Sequence, residues 1–152
     1  MNNTLKKICV IDGQGGGIGS TIIRKLKDRF GEEVEIIALG TNAIATAQML
    51  KARANRGASG MNAIVQTVKH ADYIIGTVGI IMAHAMMGEL TLEMAEAIAL
   101  SPAKKILLPL TQENLEIVGV NSTPLPQLVD DLIDRYGGDF VVDQQPNSSN
   151  MK

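Results

Sequence analysis

At 152 residues, with hydrophobic residues at 45% and charged ones at 20%, the chain has a globular composition and the length of one ordinary domain. Lysine and arginine number 14 against 16 aspartates and glutamates, a net charge of −2 with the signs interleaved. That balance offers no basic stripe for a phosphate backbone and argues against nucleic acid as the main partner.

Lys7-Ile8-Cys9-Val10-Ile11-Asp12 reads as a buried strand, apolar and branched, ended by glycine. Its apolar part is too short for a signal-peptide core or a membrane span, so no membrane partner is expected. Cys9, the one cysteine, has no internal partner; a buried reduced thiol fits a cytoplasmic setting. From Gly17 a helix is expected, with Ile18, Ile22, Leu26 and Phe30 on one face and Gly31 as its left-handed stop.

Residues 34–39 form the second predicted strand, running out at Gly40-Thr41-Asn42, where Thr41 or Asn42 caps a helix to about residue 55. Gly57-Ala58-Ser59-Gly60 breaks that helix, and the next carries Met61, Ile64, Val65 and Val68 at helical spacing. Tyr73-Ile74-Ile75-Gly76-Thr77-Val78-Gly79 is a third strand and its exit. A short helix over 80–87 stopped by Gly88, a Thr91-capped helix to about 100, and strands at 105–110 and 115–120 follow.

Asn121-Ser122-Thr123-Pro124 opens the last helix, with a capping hydroxyl before proline at the first helical position. Leu128, Val129, Leu132, Ile133 and Tyr136 form its buried stripe, and Gly137-Gly138 stops it. Residues 144–152 have nothing to bury and are expected as a disordered tail behind one domain at 1–143. Strands alternating with helices imply an α/β fold: three layers, α/β/α, Rossmann-like, around a mainly parallel sheet of about five strands.

The run Asp12-Gly13-Gln14-Gly15-Gly16-Gly17-Ile18-Gly19-Ser20 puts five glycines in seven positions between a strand and an amphipathic helix. A tight turn there needs a glycine or two for packing. The surplus suggests backbone amides left open to an anion at the helix start. The dipole adds only about 0.3–1 kcal/mol, so the amide hydrogen bonds must supply most of the grip. Gly13, Gln14, Gly15, Gly16, Gly17, Ile18, Gly19 and Ser20 are therefore the first candidate binding residues.

In an open parallel sheet, ligands sit outside the carboxyl ends of the strands. That adds Gly40, Thr41 and Asn42 at the second exit and Gly76, Thr77, Val78 and Gly79 at the third, with residues 110–114 at a further one. Asp12, His84 and Glu89 are the acid–base candidates beside such a crevice. The apolar stretch at 80–87 is a candidate contact for a homo-oligomer. There is no lysine for a phosphate loop of Gly-x-x-x-x-Gly-Lys-Ser/Thr type, no Gly-x-Ser-x-Gly elbow, and no zinc spacing among Cys9, His70 and His84.

Gly13, Gly17 and Gly19 fit Gly-x-x-x-Gly-x-Gly, and the loop resembles the nucleotide-binding loop of short-chain dehydrogenases. The resemblance implies a phosphate site but not that family's chemistry. Tyr73 is followed four residues on by Thr77 and Tyr136 by Phe140, where a Tyr-x-x-x-Lys pair requires lysine. The second exit also lacks the carboxylate that holds a ribose diol, which weakens NAD and leaves NADP or another phosphate-bearing nucleotide open. The whole of residues 5–136, through Asp12-Gly13-Gln14-Gly15-Gly16-Gly17-Ile18-Gly19, resembles a family of small bacterial proteins known only as a domain of unknown function. That resemblance implies a Rossmann-like fold and no activity. Three readings follow: a nucleotide- or dinucleotide-binding module for a small phosphorylated ligand, an enzyme using the same crevice, and a partner-binding subunit with a vestigial loop.

Overall fold

Runs of branched apolar residues become central strands here because both of their faces are covered. In the computed structural model, which describes residues 4–111 and 113–142, Ile8, Cys9 and Val10 have no solvent exposure. They belong to β1 (Lys7–Asp12), which leads through the glycine loop into α1 (Gly17–Phe30). Then come β2 (Glu35–Gly40), α2 (Ala43–Lys51), β3 (Arg56–Ser59), α3 (Met61–Thr67) and β4 (Tyr73–Thr77). A 3-10 turn, Val78–Ile81, precedes α4 (Leu92–Leu100), β5 (Lys104–Leu108) and α5 (Leu125–Phe140).

All four strand pairings are parallel, in the order β3-β2-β1-β4-β5. The alternation of side chains along each strand builds two cores. Ile8, Val10, Ile36, Ile75 and Ile106 pack under α1, α2 and α5, while Cys9, Ile11, Ile37, Leu39 and Ile74 pack under α3 and α4. This is the expected three-layer α/β/α fold. Burial pushes the Cys9 thiol up to about 12, which leaves it an inert core residue.

The sheet has five strands, but one is not the one expected. Residues 115–120 form no strand; Val118 is fully exposed and Gly119 turns the chain at φ 89°. The fifth strand is β3, hidden in the sequence by its composition, Arg-Gly-Ala-Ser. It is an edge strand held by main-chain pairing to β2 and by the Arg56–Glu35 ion pair at 2.6 Å. α2 correspondingly ends at Lys51, before the expected residue 55, because Arg53 takes φ 83° to turn into β3.

Residues 80–87 are not helical either: the 3-10 turn ends at Ile81, and positive φ at His84, Met86, Met87 and Gly88 winds the segment into successive turns. α5 starts one residue later than expected, with Pro124 as its cap position and no capping side chain. It also runs through Gly137-Gly138. A Cβ at Gly137 would come within 2.7 Å of Phe30, so that glycine admits an aromatic ring rather than ending the helix. The ring of Phe140 then meets Phe30 and Tyr73 edge-on, at 6.0 and 4.8 Å between centroids. The expected tail at 144–152 lies outside the described residues.

Gly16 carries the sharpest backbone requirement of the loop: it sits at φ 73°, and a Cβ there would lie 2.7 Å from the Ala45 carbonyl oxygen. Gly16→Ala is expected to destabilise the fold by about 1–3 kcal/mol, whereas Gly15→Ala, which meets open space, should stay within about 0.5 kcal/mol. Urea unfolding midpoints of the two variants check the contrast.

Candidate functional site

The strand order reverses at β1 and β4: the chain leaves β1 toward β2 on one side and β4 toward β5 on the other. Outside their carboxyl ends, a doubly wound sheet opens a crevice. It does so here as a cavity of about 590 Å³, lined by Asp12, Gly13, Gln14 and Ile18 from the glycine loop and by Thr77 and Gly79 from the exit of β4. His84–Met87, Leu110, Thr111, Glu113 and Leu125 complete its wall. The volume lies within the usual range for small-molecule sites.

The glycine loop is tied down from inside. The Asp12 carboxylate accepts the amides of Gly13 at 2.8 Å and Gly19 at 2.7 Å, one on each oxygen, so a single buried group grips both ends of the loop. Burial pushes the Asp12 carboxyl up, and the nearby Glu89 charge adds to that. The amide hydrogen bonds oppose the rise without cancelling it. Gly16 N donates to the Gly13 carbonyl and Ser20 N to that of Gly16. Ser20 also spends its hydroxyl on the Gly16 carbonyl at 2.7 Å, so it is not free for a ligand.

A second carboxylate holds the loop from outside. Glu89 Oε1 accepts the Gln14 amide at 2.9 Å, the Thr41 hydroxyl at 2.7 Å and the Asn42 side-chain amide at 2.7 Å. Burial pushes its carboxyl up, but these three donors outweigh that and hold it below the ordinary glutamate value. Asn42 meanwhile caps α2, accepting the Ala45 amide at 2.8 Å, and reaches the Gln14 carbonyl at 3.0 Å.

Of the loop's amides, those of Gly15 and Gly17 have no hydrogen-bond partner among the described residues, while that of Ile18 turns toward the Asp12 carboxylate. The glycines divide the same way. A Cβ at Gly13 would strike Thr41 and Met86 at 2.5 and 2.6 Å, one at Gly19 would strike Met49 at 2.5 Å, and Gly16 is held by its φ. Packing thus accounts for three of the five. Gly15 and Gly17 face nothing within 4 Å.

The other expected site residues separate into two groups. Thr77 and Gly79 join the cavity, and Val78 is half-buried in the 3-10 turn outside its lining. At Gly76 a Cβ would meet the Ile11 carbonyl at 2.9 Å, and at Gly40 it would overlap the Thr46 hydroxyl, so both are glycine for close packing. Thr41 and Asn42 do not reach the cavity; they are bound to Glu89. Among the acid–base candidates Asp12 and His84 line the cavity, with both oxygens of Asp12 already committed.

Two participants were not singled out in the sequence, although one falls within the strand exit at 110–114. Glu113, from the long connection at 109–124, lines the cavity and accepts the Met86 amide at 3.0 Å. Leu125, the first residue of α5, supplies an apolar wall. Its place in the strand exit at 110–114 was the signal for Glu113, but with Glu116 close by, spacing could not say which acidic side chain faces the cavity. Among the described residues no cluster of three histidine, cysteine or acidic side chains is placed to hold a metal ion, and no helix is long and apolar enough to cross a membrane.

The family described as a domain of unknown function (DUF3842) matches residues 7–140, which takes in the glycine loop and every wall of the cavity. The chain belongs to this family. No curated protein matches it at a significant level. Among solved structures, a universal stress protein crystallised in complex with cAMP is similar over 69% of this chain and 98% of its own, at 19% identity and a TM-score of 0.39. A superposition that loose leaves cAMP as a property of that protein alone.

Glu89 gives the site a pH signature. A carboxyl held lower in the folded than in the unfolded chain contributes stability that is complete above its unfolded value and lost as pH falls through its folded one. The stability difference between wild type and Glu89→Gln should therefore be full at neutral pH and shrink below the ordinary value near 4.5. Denaturant midpoints collected across that range test the sign.

Proposed function

We propose that the chain is a binding module for a nucleotide-class ligand carrying a phosphate, with the phosphate on the amides of Gly15 and Gly17, which flank the cavity-lining residues Gln14 and Ile18 in the chain, and the rest in the crevice between β1, β4 and β5. One observation carries this reading. The two loop glycines that packing does not require are Gly15 and Gly17, and theirs are the two loop amides without a partner among the described residues. A residue without a side chain, with an open amide at a helix start, leaves room for an oxyanion.

The walls suit the remainder of such a ligand. Ile18, Met86, Met87, Leu110 and Leu125 are apolar faces for a flat ring, and Thr77, Thr111 and His84 supply hydroxyl and imidazole groups for a sugar. Among the described residues no lysine or arginine lines the cavity, whereas Asp12 and Glu113 do. A triphosphate would meet no fixed cation there. The balance favours one phosphate group held by neutral amide donors.

Thermal-shift measurements test the reading with AMP, GMP, NAD, NADP, ATP, coenzyme A and S-adenosylmethionine as probes. A ligand at 100 times its dissociation constant adds about 2.7 kcal/mol, or roughly 5–10 °C for a chain of this size. At least one mononucleotide should give such a shift, and Gly17→Val, whose side chain would occupy the phosphate space, should abolish it. Flat responses across the panel would reject the proposal.

A further inference from the structure

A dinucleotide in a doubly wound sheet lies across the exits on both sides of the first strand. Here the two sides differ. The β4 side is the open cavity, whereas on the β2 side the polar groups at the strand exit are already in use. Gln14 N, Thr41 Oγ1 and Asn42 Nδ2 converge within 2.7–2.9 Å of one atom, Glu89 Oε1. Three donors around one oxygen are an anion site, and the anion in it belongs to the chain itself.

The carboxylate is delivered by a built element. The segment between the 3-10 turn and α4 is closed on itself by His84 N to the Leu90 carbonyl at 2.6 Å, Gly88 N to that of His84 at 3.0 Å, and Leu90 N to that of Ala85 at 3.2 Å. Glu113 fastens it from the far wall through the Met86 amide. Its turns require positive φ at three residues that are not glycine, His84, Met86 and Met87. The Met86 sulfur sits over Gly13, 2.6 Å from where a Cβ would be, so this segment packs directly on the glycine loop.

We propose that Glu89 is a built-in anion filling the β2 half of the dinucleotide site, so that the crevice takes ligands of one nucleotide's extent or less and rejects dinucleotides. This rests on the phosphate reading above and names the ligand class for the same site. It also accounts for the residues at the exit of β2. A carboxylate there would hold a ribose diol, but Thr41 and Asn42 are donors, and donors are what an incoming carboxylate needs. A ligand phosphate approaching the same three donors would displace or face a fixed negative charge.

The test uses the full chain, labelled with 15N, as wild type, Glu89→Ala and Glu89→Gln, each titrated with inorganic phosphate and separately with NAD. The resonances followed are the Gln14 backbone amide and Asn42 side-chain amide on one side, and the amides of Gly15 and Gly17 on the other. In wild type, both probes should leave Gln14 and Asn42 unmoved. In Glu89→Ala both probes should shift them, with NAD binding at least tenfold more tightly than to wild type. Glu89→Gln keeps the side chain's size and should change in the same direction, which keeps the test valid if the alanine variant does not fold. Movement of Gln14 and Asn42 in wild type, or no gain in any folded variant, overturns the proposal. Phosphate that shifts only Gly15 and Gly17, in all proteins, removes the role of Glu89 and leaves the phosphate reading standing. Silence at those two, with Gln14 and Asn42 moving only in the variants, does the reverse.

Discussion

One buried carboxylate sets the shape of everything around the crevice. Asp12 ends β1 and receives the amide of the residue that follows it and the amide of Gly19 in the first turn of α1, so strand and helix are pinned to a common point. A glycine-rich segment left to itself has more backbone entropy to lose than any other composition. Two charge-assisted bonds, each worth about 1.5–3 kcal/mol, offset that loss and fix which amides turn inward. With the amides of Gly13, Ile18 and Gly19 turned to Asp12, those of Gly15 and Gly17 are left facing outward.

The same carboxylate restricts what the helix start can attract. An anion at a helix N-terminus gains from the partial positive charge there, and Asp12 already uses part of it. A ligand's phosphate then depends on hydrogen bonds more than on field, and on its own modest charge. That the cavity wall adds Glu113 and, among the described residues, no lysine or arginine points the same way. On the proposed reading the site would discriminate against highly charged anions by what it omits as much as by what it presents.

How much of this could be read beforehand depends on whether a residue's partner was near in sequence. β1, α1, the Thr91 cap and the α2 cap, narrowed to Thr41 or Asn42, were legible because the relevant neighbours lie within a few residues: apolar runs, four-residue stripes, and a polar side chain just before a helix. β3 was not, since Arg-Gly-Ala-Ser has no strand propensity of its own and is a strand only because β2 offers its edge. Residues 115–120 are the converse case, with strand-like residues and no edge offered to them. Gly137 fails as a stop signal for the same reason, because Phe30, more than a hundred residues away, decides what it is for.

The candidate site shows the limit most sharply. Five glycines are indistinguishable as letters, yet three answer to Met86, Ala45 and Met49, from distant parts of the chain, and two answer to none. Thr41 and Asn42 looked like contacts for a ribose because they stand where such contacts stand, and that position is real. What the sequence conceals is that Glu89, 48 and 47 residues away, is already there. A polar residue at a strand exit is a binding residue only if the rest of the chain leaves it unanswered. Here that condition separates the exit of β2, which is satisfied internally, from the open amides at the start of α1 and the cavity beside β4.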